Sequence, residues 1–186
     1  MRRVIASEFV SLDGVMESPE KWHFPYFNDE MGEEIGAAMA AADAMLLGRV
    51  TYEEWAAFWP TQSSDDEIAG YMNNIRKFVV STTLDTVEWQ NSTLIKGNVA
   101  KEITRLKQQP GKDISISGSG TLVQSLLRDD LLDELRLMVH PVVVGSGKRL
   151  FEDGSDQKAL KLIDSKTFST SVVYLTYQPA GKEVEG

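Results

Sequence analysis

Apolar positions along this chain fall in short runs separated by polar and glycine-marked breaks, and the period of the runs switches repeatedly. Residues 4–12 are β-branched, aromatic or small and end on Asp13-Gly14, which predicts a strand closed by a tight turn. The next segment carries Trp22, Phe24, Tyr26 and Phe27 around Pro19 and Pro25 without any period, so these rings line either a core edge or a pocket. Asn28 then offers an N-cap to a helix with Met31, Ile35 and Met39 on one face. Residues 44–47 read as a short buried strand. Thr51 and Glu54 have the spacing of a capping box, opening a helix that turns Trp55, Phe58 and Trp59 inward until Pro60 stops it. Ser64 and Glu67 repeat the box ahead of Ile68, Tyr71, Met72 and Ile75 at helical spacing.

Residues 78–81 predict a strand with a polar exit, Thr82-Thr83-Leu84-Asp85, and Asn98 caps a helix with Val99, Ile103 and Leu106 inward. A strand at 114–116 runs through Gly118-Ser119-Gly120 into a helix carrying Leu122, Leu126 and Leu127. Beyond Asp133 the grammar changes. Leu135, Leu137 and Val139 alternate with polar neighbours, Pro141-Val142-Val143-Val144 follows, and Leu160, Leu162 and residues 172–177 supply two further strands. Strands alternating with helices and then following one another directly predict an α/β sheet, largely parallel with an antiparallel finish. Without a linker, repeat or low-complexity tract, residues 1–179 read as a single domain and residues 180–186 as a frayed tail.

With 186 residues the chain can bury a core, and its 42% apolar and 25% charged content is that of a soluble globular protein. A net charge of −9 with no Lys/Arg cluster disfavours nucleic acid or an anionic membrane as a partner, so an anionic cofactor would have to meet local positive features. The lack of cysteine removes disulfides, thiolate catalysis and cysteine–zinc sites. His23 and His140 do not have metal-ligand spacing, and no metal is expected. No charged-then-apolar leader opens the chain and no apolar run approaches about 18 residues, which predicts a cytoplasmic protein.

The chemistry concentrates at Gly118-Ser119-Gly120-Thr121-Leu122. Glycines let the backbone turn sharply and approach a ligand, while the first free N–H groups of the following helix point at an anion. Alone, the motif is either a phosphate cradle or a plain strand-to-helix turn, and the hydroxyls of Ser117, Ser119 and Thr121 favour the cradle. Val123 stands where a dinucleotide fingerprint needs its third glycine, so the simple dinucleotide fold fails. Two more strand ends, Gly48-Arg49-Val50-Thr51 and Ser81-Thr82-Thr83, carry the same residue types. Ligands of open α/β sheets bind at carboxyl ends of strands, and three such ends suit two phosphates and a ribose. Arg49 is placed either to fork onto a ribose 2′-phosphate, favouring NADP over NAD, or to make a surface salt bridge.

Taken in order, Leu47-Gly48-Arg49-Val50-Thr51-Tyr52-Glu53 with Trp59-Pro60, residues 78–84, Ser117-Gly118-Ser119-Gly120, and residues 141–147 with Leu150-Phe151 resemble the dihydrofolate-reductase-like proteins. They are more similar still to the branch related to the C-terminal reductase domain of the bifunctional riboflavin biosynthesis protein. Ser11-Leu12-Asp13-Gly14 belongs to the same pattern, and the resemblance spans about residues 3–178. It implies a three-layer fold with about eight mostly parallel strands, antiparallel C-terminal strands and flanking helices, with NADPH across the strand ends. Gly118, Ser119, Gly120, Thr121 and Leu122 would hold the pyrophosphate, and Gly48, Arg49 and Thr51 the phosphate-rich part. Ser81, Thr82 and Thr83 would take the adenosine ribose and its 2′-phosphate, and the loop from Val10 through Asp13 to Met16 would lie over the nicotinamide.

The resemblance breaks at the substrate. True dihydrofolate reductases carry an acid just beyond a Trp-x-x-Pro segment; here Trp22-His23-Phe24-Pro25 is followed by Tyr26, and Phe27 holds the matching position. The Asp-Pro or Asn-Pro stretch that riboflavin enzymes use for a substrate phosphate is also missing. Asp13 and Asp29 are the candidate catalytic acids, Asp13 alternatively bonding its own turn. Val10, Asp13, Met16, Trp22 and Phe27 are the candidate substrate contacts. Trp55 and Trp59 read as core, and His23 as a surface loop residue or a general acid. The expected function is NADPH-dependent reduction of a small heterocyclic or carbonyl compound, similar to 5-amino-6-(5-phosphoribosylamino)uracil reductase or dihydrofolate reductase. The alternative is an NADP(H)-binding protein without turnover. Val142, Val143 and Val144 read as part of a strand covered on both faces, which, together with the resemblance, predicts a two-fold homodimer through residues 135–144.

Overall fold

A computed structural model describes residues 1–181; the predicted tail falls, from residue 182 on, outside the described residues. Five helices and eight strands alternate as α/β units and then give way to consecutive strands. In chain order they are β1 (Val4–Ser11), α1 (Asp29–Ala41), β2 (Ala42–Gly48), α2 (Arg49–Phe58), α3 (Glu67–Asn74), β3 (Arg76–Val80) and β4 (Ser92–Ile95), then α4 (Val99–Gln108), β5 (Asp113–Ile116), α5 (Gly120–Arg128), β6 (Glu134–His140), β7 (Leu160–Thr167) and β8 (Val173–Pro179). All eight strands form one sheet in the order β4-β3-β2-β5-β1-β6-β8-β7. The first six pair in parallel; β8 runs antiparallel to β6, and β7 antiparallel to β8. This is a dihydrofolate-reductase-like fold.

Residue parity along β1 assigns the faces. Val4, Ala6 and Val10 join Ile114 and Ile116 of β5 beneath Ile103 and Leu106 of α4 and Leu122, Val123, Leu126 and Leu127 of α5. Each of those buried α5 side chains is worth about 1.5–3 kcal/mol of apolar burial. The opposite face carries Met45, Leu47 and Val79 against Tyr52, Met72 and Ile75, and Met31 of α1 against Met138. Asn28 caps α1, its side chain accepting from Met31 N, and Asn98 caps α4 through Lys101 N.

Both predicted capping boxes are displaced. Helix α2 starts with Gly48 at its N-cap, so Thr51 sits one turn inside and its hydroxyl is free to face the neighbouring strand end. Asp66, not Ser64, caps α3 by accepting from Ile68 N and Ala69 N, because its carboxylate is the stronger acceptor. Phe58 and Ile68 are half exposed rather than inward. The short edge strand β4 carries no alternating apolar signal of its own and is held by pairing to β3. The valine run is not a strand. β6 ends at His140, and the Asp13 carboxylate takes the amides of Val144 and Gly145 at 3.1 and 2.8 Å, drawing that segment into a loop with Val143 exposed. Strand β6 is moreover interior, between β1 and β8; the sheet edges are β4 and β7, and on β7 Leu162 and Ile163 stand 48% and 47% exposed.

Lys77 of β3 is fully buried without a carboxylate. Its ammonium donates to the carbonyls of Ile75 (2.9 Å), Gln90 (3.1 Å) and Asn73 (3.2 Å) and lies 4.2 Å from the Trp89 ring centre. Desolvation lowers its pKa to about 8.

Candidate active site

The sheet order places β3, β2, β5 and β1 side by side and parallel, so their carboxyl ends form one continuous rim. The three strand ends singled out by sequence are therefore neighbours. The β5–α5 turn is built to approach other groups closely. Gly118 adopts φ +72° and Ser119 φ +60°, both left-handed, and a Cβ on Gly118 would lie 3.1 Å from the Thr51 hydroxyl. A Cβ on Gly120 would lie 2.6 Å from Met16 Sδ, and one on Gly48 would lie 2.9 Å from Ser119 Oγ. The turn is clamped between Thr51 and Met16, with no room for a side chain at 118 or 120.

A hydroxyl relay stitches the rim together. Gly48 N donates to Ser119 Oγ at 2.7 Å, and Ser119 Oγ donates to Thr51 Oγ1 at 2.9 Å. Gly118 N donates to Glu8 Oε2 at 2.9 Å. Glu8 is buried and its second oxygen has no partner, so desolvation raises its pKa well above the usual carboxylate range; the Gly118 amide only partly offsets that. The first amides of α5 lack intrahelical acceptors, as at any helix start, and carry the positive end of the helix dipole. Lys148 adds a cation there, its Nζ 3.1 Å from Thr121 Oγ1.

Toward β3 the rim is more self-contained. Ser81 Oγ accepts from Thr83 N and Leu84 N at 3.1 Å each, an ST-turn that fixes the loop, while Thr82 and Thr83 are exposed. Arg49, 45% exposed, pairs with Glu53 one turn along α2 at 2.8 Å. That single contact uses one end of the guanidinium fork and leaves donors facing solvent.

Beside the cradle the sheet opens into a cavity of about 520 Å³. Its lining includes Ser115 of β5 and Ser117 just beyond its end, Ser7, Glu8 and Phe9 of β1, and Arg136 and Met138 of β6, with Ile35 and Met39 of α1, Trp55 of α2, and Trp59 and Met72 across from them. His23, Phe24 and Phe27 close one side. Ser117 immediately precedes Gly118, so cradle and cavity share one strand end. His23 is buried, with its ring stacked 4.6 Å from Phe9 and Nδ1 unpartnered. Burial, and secondarily His140, lowers its pKa. His140 is fully buried, with Nδ1 2.9 Å from the Met138 carbonyl.

This geometry has counterparts. The model of the RibD C-terminal domain matches residues 2–174. The chain belongs to the RibD C-terminal domain family. Among relatives of this RibD-type domain, the Bacillus subtilis (strain 168) protein YyaP is 32% identical over 180 residues, covering 95% of this chain and 94% of its own. The Thermotoga maritima diaminohydroxyphosphoribosylaminopyrimidine deaminase/5-amino-6-(5-phosphoribosylamino)uracil reductase superposes with TM-score 0.67 at 15% identity. That match covers 96% of this chain and 57% of the Thermotoga chain. Dihydrofolate reductase from Enterococcus faecalis, in complex with NADP(H), superposes with TM-score 0.64 at 14% identity, covering 96% and 97%. At these identities the solved structures establish the fold.

Within the RibD-type domain the residues named from sequence separate into two groups. Gly48, Arg49, Thr51, Ser81, Thr82, Thr83, Gly118, Ser119, Gly120, Thr121 and Leu122 lie along the rim, although the Leu122 side chain is core. Of the candidate substrate contacts, Phe27 lines the cavity. Val10 points into the core of the opposite face, and Met16 packs into that core against Gly120. Trp22 is buried, its Nε1 donating to the Glu17 carbonyl at 3.1 Å. Asp13 is a loop anchor. Ser11 Oγ donates to it at 2.6 Å, and with the Val144 and Gly145 amides holds its pKa down to about 2, so it is ionised at neutral pH. Asp29 is exposed in the first turn of α1 and is not in the cavity lining. His23 is buried rather than a surface residue, and Trp55 and Trp59 are cavity wall as well as core. Sequence reasoning missed Glu8, Lys148 and the lining role of Arg136. Only Glu8 left a sequence signal, a lone acid on the same strand face as Val4, Ala6 and Val10.

Proposed function

We propose that this protein is an NADPH-dependent reductase with the cofactor lying across the ends of β3, β2, β5 and β1 and the substrate in the adjoining cavity. The observation that carries the reading is the glycine cradle, closed to any Cβ at Gly118 and Gly120, opening at Ser117 onto an aromatic-walled cavity. The residues fit the cofactor. The α5 amides and Lys148 meet the pyrophosphate, and the free side of the Arg49 fork meets a ribose 2′-phosphate beside Thr82 and Thr83. Once bound, NADPH supplies the hydride; the chain orients it and excludes water. With Asp13 ionised and Asp29 outside the cavity, His23 is the side chain placed to pass the proton, in exchange with water. Titration by nicotinamide fluorescence tests the cofactor half: micromolar binding is expected, and Arg49→Ala should weaken NADPH far more than NADH. No binding at high micromolar NADPH to folded protein sinks the proposal.

A second reading, NADP(H) binding without turnover, is favoured by two observations: Phe27 occupies the position of the reductase acid, and the carboxylate of Glu34 in the lining is paired with Lys166 at 3.2 Å. Tight NADPH binding with no oxidation across a panel of pterins and simple carbonyls would select it. For assembly we place the two-fold homodimer at the β7 edge, where exposed Leu162 and Ile163 adjoin unpaired backbone.

A further inference from the structure

The charges around the cavity say what it can hold. Three ionisable carboxylate or guanidinium side chains line it: Glu8, Glu34 and Arg136. Glu34 is matched by Lys166, and Arg136 is committed to Glu134, with Nε at 2.6 Å and Nη2 at 2.5 Å from the same carboxylate oxygen. Glu8 is buried under the cradle, where one carboxylate oxygen accepts from Gly118 N, and desolvation pushes its pKa up. Among the described residues the lining therefore offers no uncommitted cation to a phosphate, and stripping Arg136 from a buried carboxylate to serve one would leave Glu134 with only the longer Arg3 contact at 3.3 Å. The walls are instead rings and thioethers: Trp55, Trp59, Phe9, Phe27, Met39 and Met72. Phe24 and Phe27 remain 64% and 50% exposed at the rim, an apolar surface kept open to solvent. The stacked Phe9 and His23 rings make a flat shelf, and two nitrogens on lining residues, His23 Nδ1 and Trp59 Nε1, have no protein partner.

We infer that the cavity takes an uncharged, planar aromatic compound carrying a carbonyl, and that it rejects phosphorylated ribosyl-pyrimidines. The inference rests on the reductase reading for its place in a reaction, but not for binding. Its volume of about 520 Å³ suits two or three fused rings. The shelf and the Trp55 and Trp59 walls provide stacking, and the carbonyl is what the reductase reading adds, as the group that accepts the hydride.

The test compares 2-naphthaldehyde with uridine 5′-phosphate by calorimetry, on the protein alone and on the NADPH-saturated protein, with tryptophan fluorescence followed in parallel. Naphthaldehyde should bind at least tenfold more tightly than uridine 5′-phosphate and quench tryptophan emission. Ala38→Trp, which fills the cavity from α1, should weaken it tenfold or more. The rim change Phe27→Ala, on a side chain 50% exposed, should weaken it several-fold. Equal or tighter binding of uridine 5′-phosphate overturns the inference, as does binding of neither probe. Failure of NADPH to bind overturns the cofactor reading alone, since the protein-alone titrations still decide the cavity.

Discussion

Replacing Gly118 by alanine tests the cradle directly. Two separate costs follow from the geometry. Residue 118 sits at φ +72°, where an L side chain loses about 1–2 kcal/mol. The added methyl would also lie 3.1 Å from Thr51 Oγ1 and 3.2 Å from Thr51 Cγ2, so Thr51 must yield by a few tenths of an ångström. Thr51 accepts from Ser119, which accepts from Gly48, and loosening that relay costs about 1 kcal/mol more. Gly145→Ala is the control: it has φ +85° and open space around the new methyl, so it carries the backbone cost alone. Urea unfolding should place Gly118→Ala about 2–3 kcal/mol below wild type and Gly145→Ala about 1–2 kcal/mol below it. Displacement of the turn should weaken NADPH roughly tenfold, about 1.4 kcal/mol, with Gly145→Ala near wild type. Equal stability losses together with unchanged NADPH affinity in Gly118→Ala would refute the clamped-cradle reasoning.

Lys148→Ala should weaken NADPH several-fold and flatten the salt dependence of binding, measured by fluorescence titration between about 50 mM salt, where screening is weak, and about 300 mM, where it is strong. For Lys77, folding lowers the pKa from 10.5 to about 8: below pH 8 both states hold the proton and the penalty is complete, and between about 8 and 10.5 only the unfolded chain holds it. Stability of wild type relative to Lys77→Met should therefore rise by about 3 kcal/mol from pH 7 to pH 11 in denaturant melts, and a flat difference would contradict the buried-ammonium assignment. Glu8 runs the other way: its raised folded pKa favours the fold at acidic pH and loses that advantage as pH climbs, so Glu8→Gln should be the more stable protein in the alkaline range while keeping an acceptor for Gly118 N. Ile163→Lys at the β7 edge should convert a dimer to a monomer by light scattering without changing its circular dichroism.

Local signals in the sequence determined a good deal here. The strand-to-turn-to-helix passage at residues 114–122, the Asn28 and Asn98 caps and the switch to consecutive strands after Asp133 all rest on short-range chemistry, and each has its counterpart in the structure. The residue types at three strand ends were legible for the same reason. That those ends are neighbours was decided by the order β3-β2-β5-β1, which depends on which helix covers which face and not on any nearby residue. Competition between partners decided the rest. Asp66 outcompeted Ser64 for the α3 amides, and Asp13 captured Val144 and Gly145 and so took the valine run off the sheet. The cavity was the least legible feature. Its floor combines residues of β1, β2, β5 and β6, and its walls come from three helices and the aromatic loop. Whether Trp55, Met39 or His23 faces a core or a void depends on how far α1 stands from α2, a distance set by packing of the whole fold.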